Sequence, residues 1–217
     1  GTTGESPTLS NNEKLELFKS VKEAVNGNAD VIAGTTDNNT SESIKLSIEA
    51  QKLGVDGLLL TVPSYNKPTQ QGLIDHFNMI ADSVEIPGIL YNVPGRTSLN
   101  MEANTTIKLS RHNNIIGIKE ASSDFSQITK IITETSGTNF RIWSGNDDET
   151  FSIMALGGHG VVSVASNIIG LQISKMIGMI LDGNIGSASN LHKDLLPIFE
   201  ALFWVTNPIL IKRALNI

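Results

Sequence analysis

The sequence predicts an α/β protein built on a parallel β-sheet. Short apolar runs rich in β-branched residues recur along the chain, and segments with helical spacing of apolar residues separate them. The runs are apolar nearly throughout, which is typical of strands that are covered by helices on both faces. Six such runs are present, at residues 31–35, 57–62, 88–93, 115–121, 141–145 and 160–166.

Signals for helix starts lie between these runs. Ser10 begins a capping box that is completed by Glu13, and Asp124 begins a segment of the same form. Residues 69–83 also carry helical spacing, and the chain is helical in pattern from about Leu171 onward. Two architectures fit this alternation: a doubly wound open sheet and a (β/α)₈ barrel. No G-x-G-x-x-G follows any run, which disfavours a dinucleotide-binding sheet.

Composition excludes several classes of function. The net charge is −6 and no window concentrates lysine and arginine, so a nucleic-acid partner is not expected. The absence of cysteine excludes disulfides, thiol catalysis and zinc sites with cysteine ligands. The four histidines are far apart and form no short metal-ligand pair. No apolar stretch is long enough to cross a membrane, and we expect a cytoplasmic protein without a membrane partner.

Lys119 is the leading candidate for a catalytic residue. It lies inside the apolar run 115–121, where burial disfavours an ammonium group and lowers its pKa. A neutral amine is the form that attacks carbonyl carbons. The alternative is a lysine that pairs with a carboxylate at the rim of the sheet.

Other polar residues follow the ends of the predicted strands, where parallel architectures place their active sites. Tyr91 and Tyr65 either carry protons or are structural aromatics. Arg96 lies in a turn and suits bidentate binding of a carboxylate, although a surface ion pair fits equally well. Thr2 and Thr3 offer hydroxyl and backbone N–H groups to an anion, or belong to a simple loop.

Three motifs together resemble the dihydrodipicolinate synthase (4-hydroxy-tetrahydrodipicolinate synthase) family. They are Gly-Thr-Thr-Gly-Glu at 1–5, Tyr-Asn-Val-Pro-Gly-Arg-Thr at 91–97 and Gly-Ile-Lys-Glu-Ala at 117–121. The resemblance extends over the whole chain, and it implies a (β/α)₈ barrel that is incomplete here, with about six strands followed by C-terminal helices. It implies that pyruvate forms a Schiff base with Lys119 and condenses with aspartate semialdehyde. It implies no metal and no organic cofactor, and a homotetramer built as a dimer of dimers.

The same resemblance implies roles for individual side chains. Thr2, Tyr65 and Tyr91 would form a hydroxyl relay, with Tyr65 reaching in from a neighbouring subunit. Thr2 and Thr3 would hold the pyruvate carboxylate, and Arg96 the carboxylate of the aldehyde.

One glycine and one valine complete the implied site, because Gly145 and Val162 match family residues that line the pyruvate pocket. The chain resembles the family only from the end of its second strand. We therefore expect a fragment, with an N-terminally truncated barrel at 1–182 and the start of a C-terminal helical region at 183–217.

Regulation by lysine is expected to be weak or absent. Ser6, Asn38 and Glu42 match family positions that contact this effector. However, two family histidines and an aromatic residue are replaced, by Asn11, Lys14 and Ser64. Lys14 would repel a cationic ligand in a partly desolvated cleft.

Two other functions remain open. The sister lyases N-acetylneuraminate lyase and the 2-keto-3-deoxy-sugar acid aldolases share the lysine and the tyrosine, but they release pyruvate from a larger keto acid. Arg96 and the double threonine favour the synthase. A non-catalytic barrel fragment is the remaining alternative.

Overall fold

The computed structural model describes residues 1–216, in which strands and helices alternate. The strands are β1 (Ile32–Gly34), β2 (Gly57–Thr61), β3 (Gly88–Asn92), β4 (Ile115–Glu120), β5 (Arg141–Ser144) and β6 (Gly160–Val161). The helices before β4 are α1 (Asn11–Val25), α2 (Thr40–Lys52), α3 (Gln70–Asp82), α4 (Pro94–Thr97) and α5 (Ala103–Leu109). Those after it are α6 (Phe125–Glu134), α7 (Thr150–Ala155), α8 (Ser166–Leu181), α9 (Ile185–Ala201) and α10 (Ile209–Leu215).

The six strands form one parallel sheet in the order of the chain, from β1 to β6. A doubly wound sheet reverses its strand order at a switch point, whereas a (β/α)₈ barrel adds its strands in sequence. The order therefore decides between the two predicted architectures. The sheet with its outer helices is part of a (β/α)₈ barrel, and further helices follow it, as the resemblance implied.

Apolar side chains between the sheet and its helices form the larger of two hydrophobic clusters. Five of its fully buried members, from strands and helices alike, are Leu60, Phe77, Leu90, Ile118 and Ile131. This packing fixes the strands, so the residues at their carboxyl ends stand on a rigid base.

The predicted helix start at Ser10 is confirmed, because its side chain and that of Glu13 cap each other's backbone N–H groups. At Asp124 only half of the predicted box forms. The Asp124 carboxylate accepts from the backbone N–H of Gln127, but the Gln127 side-chain oxygen accepts from Asn100 and not from the backbone N–H of Asp124. That backbone N–H donates to Oγ of Ser122 instead.

The predicted strand at 160–166 is too long, because β6 ends at Val161 and α8 begins at Ser166. The physical reason is a side chain from the preceding loop. Oδ2 of Asp147 accepts hydrogen bonds from the backbone N–H groups of Val164 (3.0 Å) and Ala165 (2.9 Å). These groups are therefore bonded to a carboxylate and not to a neighbouring strand.

The C-terminal part contains α8, α9 and α10, which share the second hydrophobic cluster. Residues 202–208 interrupt the helical pattern that the sequence predicts for this region, between the end of α9 and the start of α10. The division of the chain into 1–182 and 183–217 stays a prediction. No helix within residues 1–216 is long and apolar enough to cross a bilayer.

Candidate active site

Two neighbouring strands place Lys119 beside Tyr91. These residues are paired in the register of β3 and β4, and Nζ of Lys119 lies 4.2 Å from the centre of the Tyr91 ring. Side chains alternate between the two faces of a strand, so the next residues, Asn92 and Glu120, point to the opposite face. One face of this strand pair therefore carries an amine over a phenol, and the other carries an amide next to a carboxyl group.

The surroundings of Lys119 favour its neutral form. Burial lowers its pKa to about 8, and the guanidinium of Arg96 acts in the same direction, whereas Asp147 partly opposes both. No hydrogen bond or ion pair of the amine is found within residues 1–216, so the predicted alternative of a paired lysine at the sheet rim does not describe it. An amine with a pKa of about 8 supplies a useful fraction of nucleophile near neutral pH.

A cavity of about 200 Å³ opens above Lys119 at the carboxyl ends of the strands. Seven of the eight residues that the sequence selected line it: Thr2, Thr3, Tyr91, Arg96, Lys119, Gly145 and Val162. They come from an N-terminal turn and from the ends of four strands. Their convergence follows from the parallel sheet, because all strand ends meet at one edge.

The eighth residue, Tyr65, lies outside this cavity. It is 89% exposed, in a loop after β2, and its backbone is left-handed with φ 71°. By contrast, Tyr91 is 6% exposed, and burial raises the pKa of its phenol while Arg96 partly offsets the effect. The single chain therefore brings one tyrosine to the lysine, and the predicted role of Tyr65 stays a prediction.

Gly145 is required by the space beside the lysine. A Cβ atom at this position would lie 2.7 Å from Cβ of Ala121 and 3.2 Å from Cε of Lys119. Such a contact would push the lysine side chain or separate β4 from the following loop. The missing side chain thus leaves the room in which Lys119 reaches the cavity.

Arg96 stands on the short helix α4 directly after β3. Pro94 begins this helix, and its fixed φ suits the first helical position. The exposed Arg96 side chain makes no ion pair within residues 1–216, and it also borders a neighbouring cavity of about 300 Å³. A free guanidinium at the junction of two cavities can bind an incoming carboxylate.

The opposite face of the strand pair is fully bonded. The Glu120 carboxyl group is buried and accepts from Asn92, Gln127 and the backbone of Ser122, at 2.8–3.3 Å. Burial nevertheless raises the pKa of Glu120 to about 7, since it outweighs these bonds. This cluster ties β3 to β4 and to α6 behind the lysine.

Among the cavity residues that the sequence did not select, Phe203 and Asn207 come from a segment far from every predicted strand end. Asn207 lines the cavity from the segment between α9 and α10, and its Nδ2 donates to Oγ1 of Thr3 at 3.0 Å. The only local signal was the dipeptide Asn207-Pro208, which is typical of a turn within a region of helical pattern. No cluster of three histidine, aspartate or glutamate side chains suited to a metal occurs in residues 1–216.

The fold and the site define a class of enzyme: barrel lyases in which a strand lysine forms a Schiff base with a keto acid. The sequence model of the dihydrodipicolinate synthetase family matches residues 1–217, and the chain belongs to this family.

Individual relatives agree with this membership. The chain is 48% identical to 4-hydroxy-tetrahydrodipicolinate synthase 1 of Halalkalibacterium halodurans, over all of this chain and 73% of the relative. It is 50% identical to the corresponding synthase of Symbiobacterium thermophilum, over all of this chain and 74% of the relative. The solved structure of the enzyme from Cyanidioschyzon merolae with lysine bound superposes with a TM-score of 0.97 at 48% identity, over all of this chain and 74% of that one.

Proposed function

We propose that this chain condenses pyruvate with L-aspartate 4-semialdehyde to give 4-hydroxy-tetrahydrodipicolinate, a step of lysine and diaminopimelate biosynthesis. One observation carries the proposal. Lys119, with its pKa lowered to about 8, faces a cavity that is lined by six other residues selected from the sequence and its family resemblance. Family membership agrees with this activity, and a cytoplasmic location is part of the proposal.

The chemistry begins with the neutral amine of Lys119. It attacks the ketone of pyruvate, and loss of water from the carbinolamine gives an iminium ion. The iminium withdraws electrons, so the methyl group loses a proton and becomes a nucleophilic enamine. The enamine carbon then bonds to the aldehyde carbon of the second substrate. The amine of that substrate finally displaces Lys119 and closes the ring, which returns the lysine to its starting state.

Each step moves a proton, and we assign the carriers to hydroxyl groups near the amine. Tyr91 stands over Lys119, and Thr2 lines the same cavity. Tyr65 completes the relay in our proposal from a neighbouring subunit, since it is exposed on its own chain. We therefore propose a homo-oligomer, a dimer of dimers, in which each site receives one tyrosine from a partner.

Binding of the two carboxylates is divided between two parts of the cavity. Thr2 and Thr3 hold the carboxylate of pyruvate beside the lysine, with Gly145 and Val162 as the floor and wall. Arg96 binds the carboxylate of the aldehyde at the border with the neighbouring cavity. Weak sensitivity to lysine also stays part of the proposal, although the C. merolae relative was solved with lysine bound.

Trapping with borohydride tests the nucleophile. Incubation of the 217-residue chain with pyruvate and borohydride, followed by peptide mass mapping, should find the reduced adduct on Lys119. The same treatment of K119R should give no adduct, because a guanidinium is not deprotonated at these pH values. An adduct on another lysine, with Lys119 unmodified, contradicts the mechanism.

Arg96→Ala separates the two substrates. We expect about 10- to 100-fold weaker use of aspartate semialdehyde, as for the loss of a charge-assisted bidentate contact, with Schiff-base formation from pyruvate largely intact. Steady-state kinetics and borohydride trapping measure the two effects. A wild-type chain that cleaves N-acetylneuraminate faster than it consumes the aldehyde would assign it to the sister lyases.

A further inference from the structure

Asn207 connects the segment between α9 and α10 to Thr3 in the lining of the cavity. Its side chain is buried, with 4% of the residue exposed. Its amide nitrogen donates to Oγ1 of Thr3 at 3.0 Å, and both residues line the cavity above Lys119. Its Oδ1 is buried and has no hydrogen-bond partner within residues 1–216. A buried amide that served packing alone would be expected to have both ends bonded.

The direction of this bond determines what the Thr3 hydroxyl can do. A hydroxyl group has one proton to donate and two lone pairs that accept. Because the Asn207 amide occupies a lone pair, the proton of Thr3 remains for another acceptor. No acceptor for it is found within residues 1–216. An anion in the cavity would therefore meet a hydroxyl that is already turned to donate.

We propose that Asn207 is a positioning residue, which fixes the Thr3 hydroxyl as a hydrogen-bond donor to the carboxylate of the keto acid. This inference rests on the proposed function, since it requires pyruvate in the cavity. It assigns part of the substrate-binding geometry to the segment between α9 and α10, which the motifs of the barrel do not include.

The segment that carries Asn207 is anchored on both sides. Before it, Leu202 is buried in the second hydrophobic cluster, and after it Ile211 on α10 is 1% exposed in the same cluster. Lys212 on α10 also pairs with Glu5 at 2.9 Å, but both side chains are exposed and this ion pair adds little to the anchoring. The amide therefore stands on a packed base, as a positioning residue must.

A purely structural role predicts a different pattern of variants. If Asn207 only ties two parts of the chain together, N207D should behave like wild type, because the two side chains have nearly the same shape and an ionised carboxylate can accept from Thr3. If Asn207 positions Thr3, N207D should weaken pyruvate binding more than any other variant. Its carboxylate accepts the hydrogen bond that Thr3 would otherwise donate to the substrate, and it adds a negative charge near the substrate carboxylate.

The experiment measures how borohydride trapping of Lys119 depends on pyruvate concentration. It is done at about pH 9, where an amine with a pKa near 8 is mostly neutral. We expect N207A to raise the half-saturating pyruvate concentration about tenfold, as for one lost hydrogen bond. N207D should raise it further. In a T3V background, N207A should add less than a twofold change, because the hydroxyl through which it acts is gone.

K212A is the matched control from the same segment. It removes an ion pair between exposed side chains, so it should change the half-saturating concentration less than twofold. If N207A does not fold, as judged by circular dichroism, N207D decides the question, since its shape preserves the packing. If wild type is labelled at Lys119 and N207A or N207D has a half-saturating pyruvate concentration within twofold of the wild-type value, the role of Asn207 is overturned. The proposed function is then unaffected. Failure of wild type to label Lys119 overturns the proposed function, and this inference falls with it.

Discussion

Lys119 and Glu120 are consecutive residues on one strand, yet their surroundings differ in kind. Both side chains can ionise, and burial shifts the pKa of each toward the neutral form, to about 8 for the lysine and about 7 for the glutamate. Glu120 accepts hydrogen bonds from Asn92, Gln127 and Ser122. The Lys119 amine has no such partner within residues 1–216 and faces a cavity.

The comparison shows that burial of an ionisable group does not by itself indicate function. Groups that are buried with their partners tie a structure together, and their hydrogen bonds offset part of the cost of desolvation. A group that is desolvated without a partner keeps its reactivity for something that arrives from outside. On β4 the unpartnered amine of Lys119 and the hydrogen-bonded carboxyl group of Glu120 lie on opposite faces of the sheet.

The largest effect is expected for K119M, which should change turnover strongly and the free energy of unfolding little. Turnover should fall at least about 1000-fold, because the nucleophile is absent. The free energy of unfolding should stay the same or rise, because a partly buried amine without a partner is replaced by an apolar side chain of similar length. Steady-state kinetics and urea unfolding measure the two effects. A loss of stability above about 1 kcal/mol, within the usual range for harmful substitutions, would show that Lys119 also supports the fold.

Glu120 should control stability as a function of pH. Its folded-state pKa of about 7 lies above the reference value of 4.5. Its stabilising contribution is therefore complete below about pH 4.5 and is lost as the pH rises through 7. E120Q does not titrate, so the stability of wild type relative to E120Q should fall between pH 5 and 8, by at most about 3 kcal/mol. Urea unfolding at both pH values measures this difference, and parallel pH curves for the two proteins would contradict it.

The smallest expected effects are two shifts of opposite sign in the pKa of Lys119. Arg96 lowers the pKa of the amine and Asp147 raises it. In R96Q, the pH at which the trapping rate increases should therefore be higher than in wild type. D147N should move it to lower pH, while its amide oxygen still accepts from Val164 and Ala165. The pH profile of borohydride trapping at saturating pyruvate measures both shifts.

The neighbouring Asp148 provides the control for charge removal. It is exposed and is not among the groups that shift the pKa of Lys119, so D148N should leave the profile unchanged. Shifts of the same sign in R96Q and D147N would mean that the substitutions act through a change of structure and not through charge.

The sequence was sufficient for the sheet and for seven of the residues that line the cavity. Strand runs are visible as apolar segments, and residues that follow them must converge because parallel strands end at one edge. Lys119 could be found in this way, since a charged residue inside such a run is conspicuous. Thr2 and Arg96 were candidates from their positions and chemistry, whereas Gly145 and Val162 came from the family resemblance alone.

The rest depends on contacts that no local pattern contains. Asp147 shortens the predicted strand by accepting from Val164 and Ala165. Asn100 donates to the Gln127 oxygen that the predicted cap requires. Asn207 reaches the cavity only because α8, α9 and α10 pack together behind it. The proposed role of Tyr65 requires a second chain, because this side chain is 89% exposed on its own chain.

The bond between Thr3 and Asn207 joins residues that are 204 positions apart in the chain. Contacts between such distant residues close long loops, and the entropy of loop closure must be overcome before they form. During synthesis, Thr3 leaves the ribosome before Asn207, and 204 further residues must be added before its partner is made. All six strands precede Asn207 in the chain, so a nascent chain should form its sheet before it can form the contact that we propose positions Thr3.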